Sequence, residues 1–209
     1  MPTLEQARQW YTVADPVHDF DHVQRVYRLA RRIGQAEGAD MQILLAAVLL
    51  RDAADAAPDA NSGRPTHHLT SAEFARRVLA EEGWPQERIE AVAHCIRTHR
   101  FRGAEKPQTL EARILFDCDK LDVIGAIGVM RAAAYAALAG QPLTGEVSES
   151  FKASGSKEPG EPHTPYHEFL FKLSKVRFHT PAARDLADER QRYMSEFFER
   201  LNGEAKGLY

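Results

Sequence analysis

Long hydrophobic runs are missing from this chain. No segment reaches the ~18 apolar residues that a membrane helix needs, and "MPTLEQARQWY" lacks a basic stretch followed by an apolar one. No membrane partner is expected, and the predicted compartment is the cytoplasm. Cysteine is scarce: Cys95 and Cys118 are the two present, both inside apolar helical patterns and without CxxC spacing. That excludes a disulfide scaffold and predicts buried free thiols. A charge excess of one sign is also lacking, since 27 basic residues stand against 30 acidic ones for a net −3. With no aromatic-basic stripe either, a dedicated nucleic-acid surface is not expected. Any anionic ligand must be held by a local basic site, and nothing in the sequence sets an oligomeric state.

Clean apolar–polar alternation over a strand length is absent as well. Almost every periodic segment repeats at 3.6 residues, which predicts an all-α fold. At 209 residues the chain is long enough for one substantial core, so a single domain over 1–209 is expected. Its core spans 15–139, with a flexible loop or lid at about 140–165 and C-terminal helices over 166–202. The first helix is expected over 3–13, and a second from Phe20 to Glu37 with Val23, Val26, Tyr27, Ala30 and Ile33 on one stripe and Gly38 closing it. A third, at about 40–55, is apolar nearly all round and so central. "APDANSGRPTHH" reads as a loop. "TSAE" offers Thr70 as N-cap and Glu73 as the reciprocating acid of a helix ending near Gly83, and Pro85 opens another to about His99. The longest apolar run, Leu110 to Ala139, predicts a second buried helix, with Gly125 and Gly128 marking a close helix approach. Further helices are expected near 166–178 and from Thr180-Pro181 to Asn202-Gly203.

Three of these apolar helices carry ionisable groups where packing predicts none. His22 shares its inward face with Val26, Leu29 and Ile33. Arg51-Asp52 follow an apolar run directly. Asp119 and Asp122, three apart, share a helical face, while Asp117 points nearly the other way. Each has an ordinary reading: a hydrogen-bonded core histidine, half of an Arg51–Asp52 ion pair, a capping or salt-bridge role for Asp117. Together, an imidazole and carboxylates from three helices suit a divalent cation such as Mn²⁺ or Mg²⁺.

"HDFDHVQRVYRLA", "LLRDAADA", "HLTSAEFARRVL", "IRTHRF" and "ILFDCDKLDVIGAIGVMRAA", in that order and separation, resemble the HD-domain phosphohydrolases, in particular their small bacterial YedJ/YpgQ-like branch. The resemblance continues into "FKLSKVRFHTPAARDLADERQRYMSEFF" and so covers nearly the whole chain. It implies an HD-type helical bundle with a C-terminal helical extension, and a metal that activates water against a phosphate ester or anhydride. Residue by residue, it implies His22, Asp52 and Asp119 as metal ligands. His68 and His99 match places where some members bind a second metal, with His67 an alternative to His68. It also implies Asp55 as general base or water-positioning group, Lys172 and Lys175 as a basic pair toward a phosphate tail, and nucleotides or similar small phosphates as substrates. Lys120 and Arg25 are candidate phosphate contacts, and Asp122 a residue orienting a ligand or water. His94 is expected to be structural, and His167 is assigned no role.

The sequence departs from that family at the His-Asp doublet, where Arg51 stands in place of the His. Arginine stays protonated and cannot ligate a cation. Its guanidinium can grip phosphate oxygens, or pair with Asp52 or Asp55 and so replace the metal by an ion pair. A metal-dependent phosphohydrolase with reduced activity, a non-catalytic nucleotide- or phosphate-binding protein, and an all-helical interaction protein whose inward charges are ion pairs all remain open at this point.

Overall fold

The computed structural model describes residues 1–11, 20–53, 67–99 and 105–209. Among these, all regular secondary structure is helical, as the periodicity predicts. The chain divides into two compact units, the first comprising Met1–Asp119 with His179–Ala183 and the second Lys120–Phe178 with Arg184–Tyr209.

In the first unit, α1 (Leu4–Trp10) opens on a capping box between Thr3 and Gln6. Next come α2 (Phe20–Glu37) and α3 (Met41–Leu50), the latter capped by Asp40, whose carboxylate accepts from the Gln42 and Ile43 amides. Leu44 to Leu50 are all buried, so α3 is the central helix, packed by α2, α4 (His67–Glu81) and α5 (Gln86–Thr98). The last helix of this unit is α6 (Leu110–Leu121), whose final residues Lys120 and Leu121 begin the second unit.

Two boundaries in this unit differ from expectation. The helix expected over 40–55 ends at Leu50, so Arg51 and Asp52 stand in the turn beyond it. Thr70 is not an N-cap: α4 starts at His67, which puts Thr70 inside the helix, and Glu73 pairs with Arg76 instead of closing a capping box. Residues 12 and 13 of the first expected helix, and 57–66 of the loop, lie outside the described residues.

Asp117 is fully buried and faces Thr180, not Asp119's surroundings. Its carboxylate accepts from the His179 and Thr180 amides and from the Thr180 hydroxyl, each at 2.8 Å. Burial pushes this carboxyl above the usual range, against those hydrogen bonds. The capping alternative for Asp117 is therefore the one observed.

In the second unit the run expected to continue unbroken to Ala139 is interrupted after Leu121. α7 (Gly125–Leu138) starts afresh at Gly125, whose φ of 77° is in the left-handed region that disfavours other residues. Gly128 is crowded first by the turn before its own helix, where a Cβ would lie 2.5 Å from the Val123 carbonyl oxygen, and then by Met194 Sδ at 3.2 Å. The 140–165 stretch contains a helix, α8 (Glu149–Ser154), capped by Ser148. Glu161 organises it, accepting from the Ser148 amide and hydroxyl, the Glu158 amide and His167 Nε2. The expected 166–178 helix is the shorter α9 (Pro165–Phe171) followed by a 3₁₀ turn at Leu173–Lys175. The final helix, α10 (Pro181–Ala205), runs two residues past Gly203.

Candidate functional site

The end of α3 sets up the site. A helix leaves its last carbonyls without intrahelical donors, and burial makes each orphan costly. Tyr11 donates its hydroxyl to the Leu49 carbonyl at 3.1 Å, and Arg51 donates NH1 to the Val48 carbonyl at 2.8 Å. A cation at this end also complements the helix dipole. The carbonyl contacts of Tyr11 and Arg51 escaped sequence reasoning, and the only signal for them was that an apolar helix ending in the core must find such donors.

That bond pins the Arg51 side chain, fully buried, among the predicted ligands. Its NH2 donates to His22 Nε2 at 2.7 Å, and its Nε lies 3.3 Å from Asp52 Oδ2 and 3.5 Å from Asp119 Oδ1. His22 Nε2 is 3.3 Å from the same Asp119 oxygen, and His99 Nε2 is 3.6 Å from Asp52 Oδ1. His22, Asp52 and Asp119, from α2, the α3 turn and α6, therefore lie close together, and His99 at the end of α5 joins them through Asp52.

Protonation follows from who can donate. A guanidinium only donates, so at 2.7 Å His22 Nε2 accepts, and its lone pair and the Asp119 oxygen both face a cation. His99 Nδ1 lies 2.6 Å from the Ile96 carbonyl, which only accepts, so Nδ1 carries a proton and orients the ring. Burial pushes the Asp52 carboxyl up, but the Arg51 guanidinium and His99 more than offset this and hold it well below the usual carboxylate range.

This geometry tests the expected Mn²⁺ or Mg²⁺. Ligands at metal distance, about 2.0–2.2 Å from one ion, cannot close around it while a buried guanidinium lies 2.7–3.5 Å from each of them. Among the described residues no group of three or more His, Cys, Asp or Glu side chains is arranged to hold a metal ion. The residues present, in this arrangement, do not fit the metal. In this structure Arg51 is turned into the chain, with NH1 on the Val48 carbonyl, NH2 on His22 and Nε within ion-pair distance of Asp52 but hydrogen-bonded to neither carboxylate.

The remaining candidates fall as follows. Arg25 lies one turn after His22 on α2 and is partly exposed. His68 stands in the first turn of α4 with its Nδ1 buried, while Asp55 lies outside the described residues. His94 is structural, as expected, bonding Glu105 through Nδ1 and accepting from the Gln108 amide at Nε2. In the second unit, Asp122 does not continue Asp119's helical face, because α6 ends at Leu121; it is buried, with Arg131 donating to it at 3.3 Å. Lys120 follows Asp119 directly. Lys172 pairs with Glu168 at 2.6 Å, and the Lys175 ammonium lies 4.9 Å from the Phe171 ring centre. His167 is fully buried between Thr164 and Glu161.

An all-helical unit thus brings a helix-borne His, a post-helical Asp and a later helical Asp close together. The HD domain family model matches residues 19–124, and the chain belongs to that family. It is 32% identical over 215 residues, 98% of this chain and 94% of the relative, to the uncharacterized protein YpgQ of Bacillus subtilis. The crystal structure of that YpgQ in complex with ADP is similar with a TM-score of 0.71 at 28% identity, covering 95% of this chain and 96% of the other. A Bacillus thuringiensis HD-superfamily hydrolase is similar with a TM-score of 0.70 at 25% identity, covering 97% and 96%. Among the described residues no single helix is long and apolar enough to cross a membrane.

Proposed function

We propose that the convergence of His22, Asp52, His99 and Asp119 is a phosphohydrolase-type site for nucleotides or related small phosphates, in which Arg51 curtails turnover while binding is retained. The observation that carries this reading is the Arg51 guanidinium, directed at His22, Asp52 and Asp119 together. The ADP in the YpgQ complex supports the ligand class. Because Arg51 NH1 and NH2 are hydrogen-bonded within the chain, phosphate contacts fall to other basic groups, with Arg25 the candidate one turn from His22.

A second reading rests on the same convergence: with Arg51 withdrawn, a one-His, two-carboxylate set remains that suits Mn²⁺ or Mg²⁺, and hydrolysis would follow from it. One experiment separates the two. The purified chain is tested against ADP, ATP and inorganic phosphate, with and without Mn²⁺ or Mg²⁺, for thermal shift and for phosphate release. The first reading expects a nucleotide-dependent rise in Tm, ~2.7 kcal/mol of added stability at a hundredfold excess over Kd, with release near the blank. Metal-dependent release at ordinary enzymatic rates favours the second. No stabilisation by any of these ligands ends both.

A further inference from the structure

We propose that Arg51 is the resident cation of this centre: its guanidinium takes the place, in position and in charge, of the metal ion that an HD site would hold, and the folded chain has no use for a divalent ion there. The argument starts from the lone pairs. His22 Nε2 accepts from Arg51 at 2.7 Å and Asp119 Oδ1 stands 3.3 Å from that same nitrogen, so two electron-rich atoms lie close together with no proton shared between them. Such an arrangement is repulsive unless a cation compensates it. The guanidinium does so, with NH2 on the imidazole and Nε 3.3 Å from Asp52 and 3.5 Å from Asp119, a charge contact without a hydrogen bond.

Position is dictated from behind. NH1 is anchored on the Val48 carbonyl, at the negative end of α3, so the same contact that completes the helix terminus aims NH2 at His22 and holds the guanidinium charge beside Asp52 and Asp119. A His at position 51 would carry no such obligatory charge, and its neutral ring would add a lone pair to the set. The single difference from the family doublet therefore exchanges a bound ion for a covalently attached one. Charge does not balance fully: one guanidinium offsets one of the two carboxylates, where a divalent ion would offset both. The partial exposure of Asp52 and Asp119, at 27% and 14% of their side chains, lets water carry the remainder.

The inference is independent of which phosphate the site takes, so failure of nucleotide binding would leave it standing. The test compares the wild-type chain with Arg51→His and Arg51→Ala, the second guarding against a His variant that does not fold. Each is treated with chelator, dialysed against Mn²⁺ and then read for bound metal and for Mn²⁺-dependent Tm. Wild type is expected to retain no stoichiometric metal and to show no Mn²⁺-dependent shift. Arg51→His is expected to bind on the order of one ion per chain and to gain stability with rising Mn²⁺, with Arg51→Ala responding in the same direction more weakly. Adding Asp119→Asn to either variant should abolish the gain. Stoichiometric Mn²⁺ in the wild type that is lost on Asp119→Asn substitution would overturn the proposal, as would folded Arg51 variants that take up no more metal than the wild type.

Discussion

Replacing Arg51 by Met keeps most of the side-chain volume and removes the charge, leaving Asp52 and Asp119 facing an imidazole lone pair with no cation between them. Taking one partner from a buried ion pair costs ~3–5 kcal/mol, because the other charge stays buried and uncompensated. Asp52 keeps 27% of its side chain exposed, so water absorbs part of that charge and the lower end of the range applies. Loss of the hydrogen bond to the Val48 carbonyl adds ~1 kcal/mol. The sum, ~4 kcal/mol, lowers Tm by roughly 8–16 °C for a chain of this length at ~2–4 °C per kcal/mol. Thermal denaturation followed by circular dichroism, with chelator present so that no added ion refills the centre, measures it. The double substitution Arg51→Met with Asp119→Asn removes one of the stranded charges and should restore ~0.5–3 kcal/mol relative to the sum of the single changes. A fall below ~2 °C, or strict additivity, would refute the claim that Arg51 holds these carboxylates together.

Three further outcomes follow from the packing. Asp117→Ala removes the acceptor of three hydrogen bonds ahead of α10 and leaves two backbone amides without it, costing ~2–4 kcal/mol in thermal or urea denaturation; a change under ~1 kcal/mol contradicts the capping role. Gly128→Ala drives a methyl to within 2.5 Å of the Val123 carbonyl oxygen, and the required backbone shift costs ~1–3 kcal/mol; an unchanged Tm would mean that this turn yields freely. Glu161 has its carboxyl held down to about 2 by the Ser148 amide, with His167 and Glu158 adding to this against burial. A depressed acid pKa adds stability above its unfolded value, about 4.5, and loses it as pH falls toward 2. Protection factors of the Ser148 and Glu158 amides, the exchange rates corrected for the intrinsic rate at each pH, should therefore fall between those values in the wild type, and Glu161→Gln should flatten that dependence. Identical pH profiles for the two chains would dismiss Glu161 as the organiser of this segment.

Much of the molecule was legible in the one-dimensional pattern, because helical periodicity reports burial directly. The stripe through Val23, Val26, Ala30 and Ile33 marks α2, Gly38 marks its end with φ of 75°, and the uninterrupted run from Leu44 to Leu50 marks the buried centre. Inward ionisable groups are rare enough on such faces that His22, Asp52 and Asp119 stood out, and the structure places them together. Breaks were less legible. "DVIG" reads as continued apolar helix, and what stops it is a left-handed Gly125, whose conformation carries no periodic signature. Likewise "TSAE" satisfies the capping pattern, yet α4 already runs through it from His67, because a local pattern cannot tell a helix start from a helix interior.

What the sequence determined by itself is the donor inventory: which residues carry lone pairs inward, and that Arg51 brings an unremovable charge to the same doublet. Whether that charge would turn outward to a phosphate or inward to the ligands was left open, because a guanidinium reaches either from the same backbone position. Only the tertiary structure decided it. The open Val48 carbonyl at the end of a buried helix demands a donor, Arg51 supplies it, and the fold then leaves His22, Asp52 and Asp119 as the groups its other nitrogens meet.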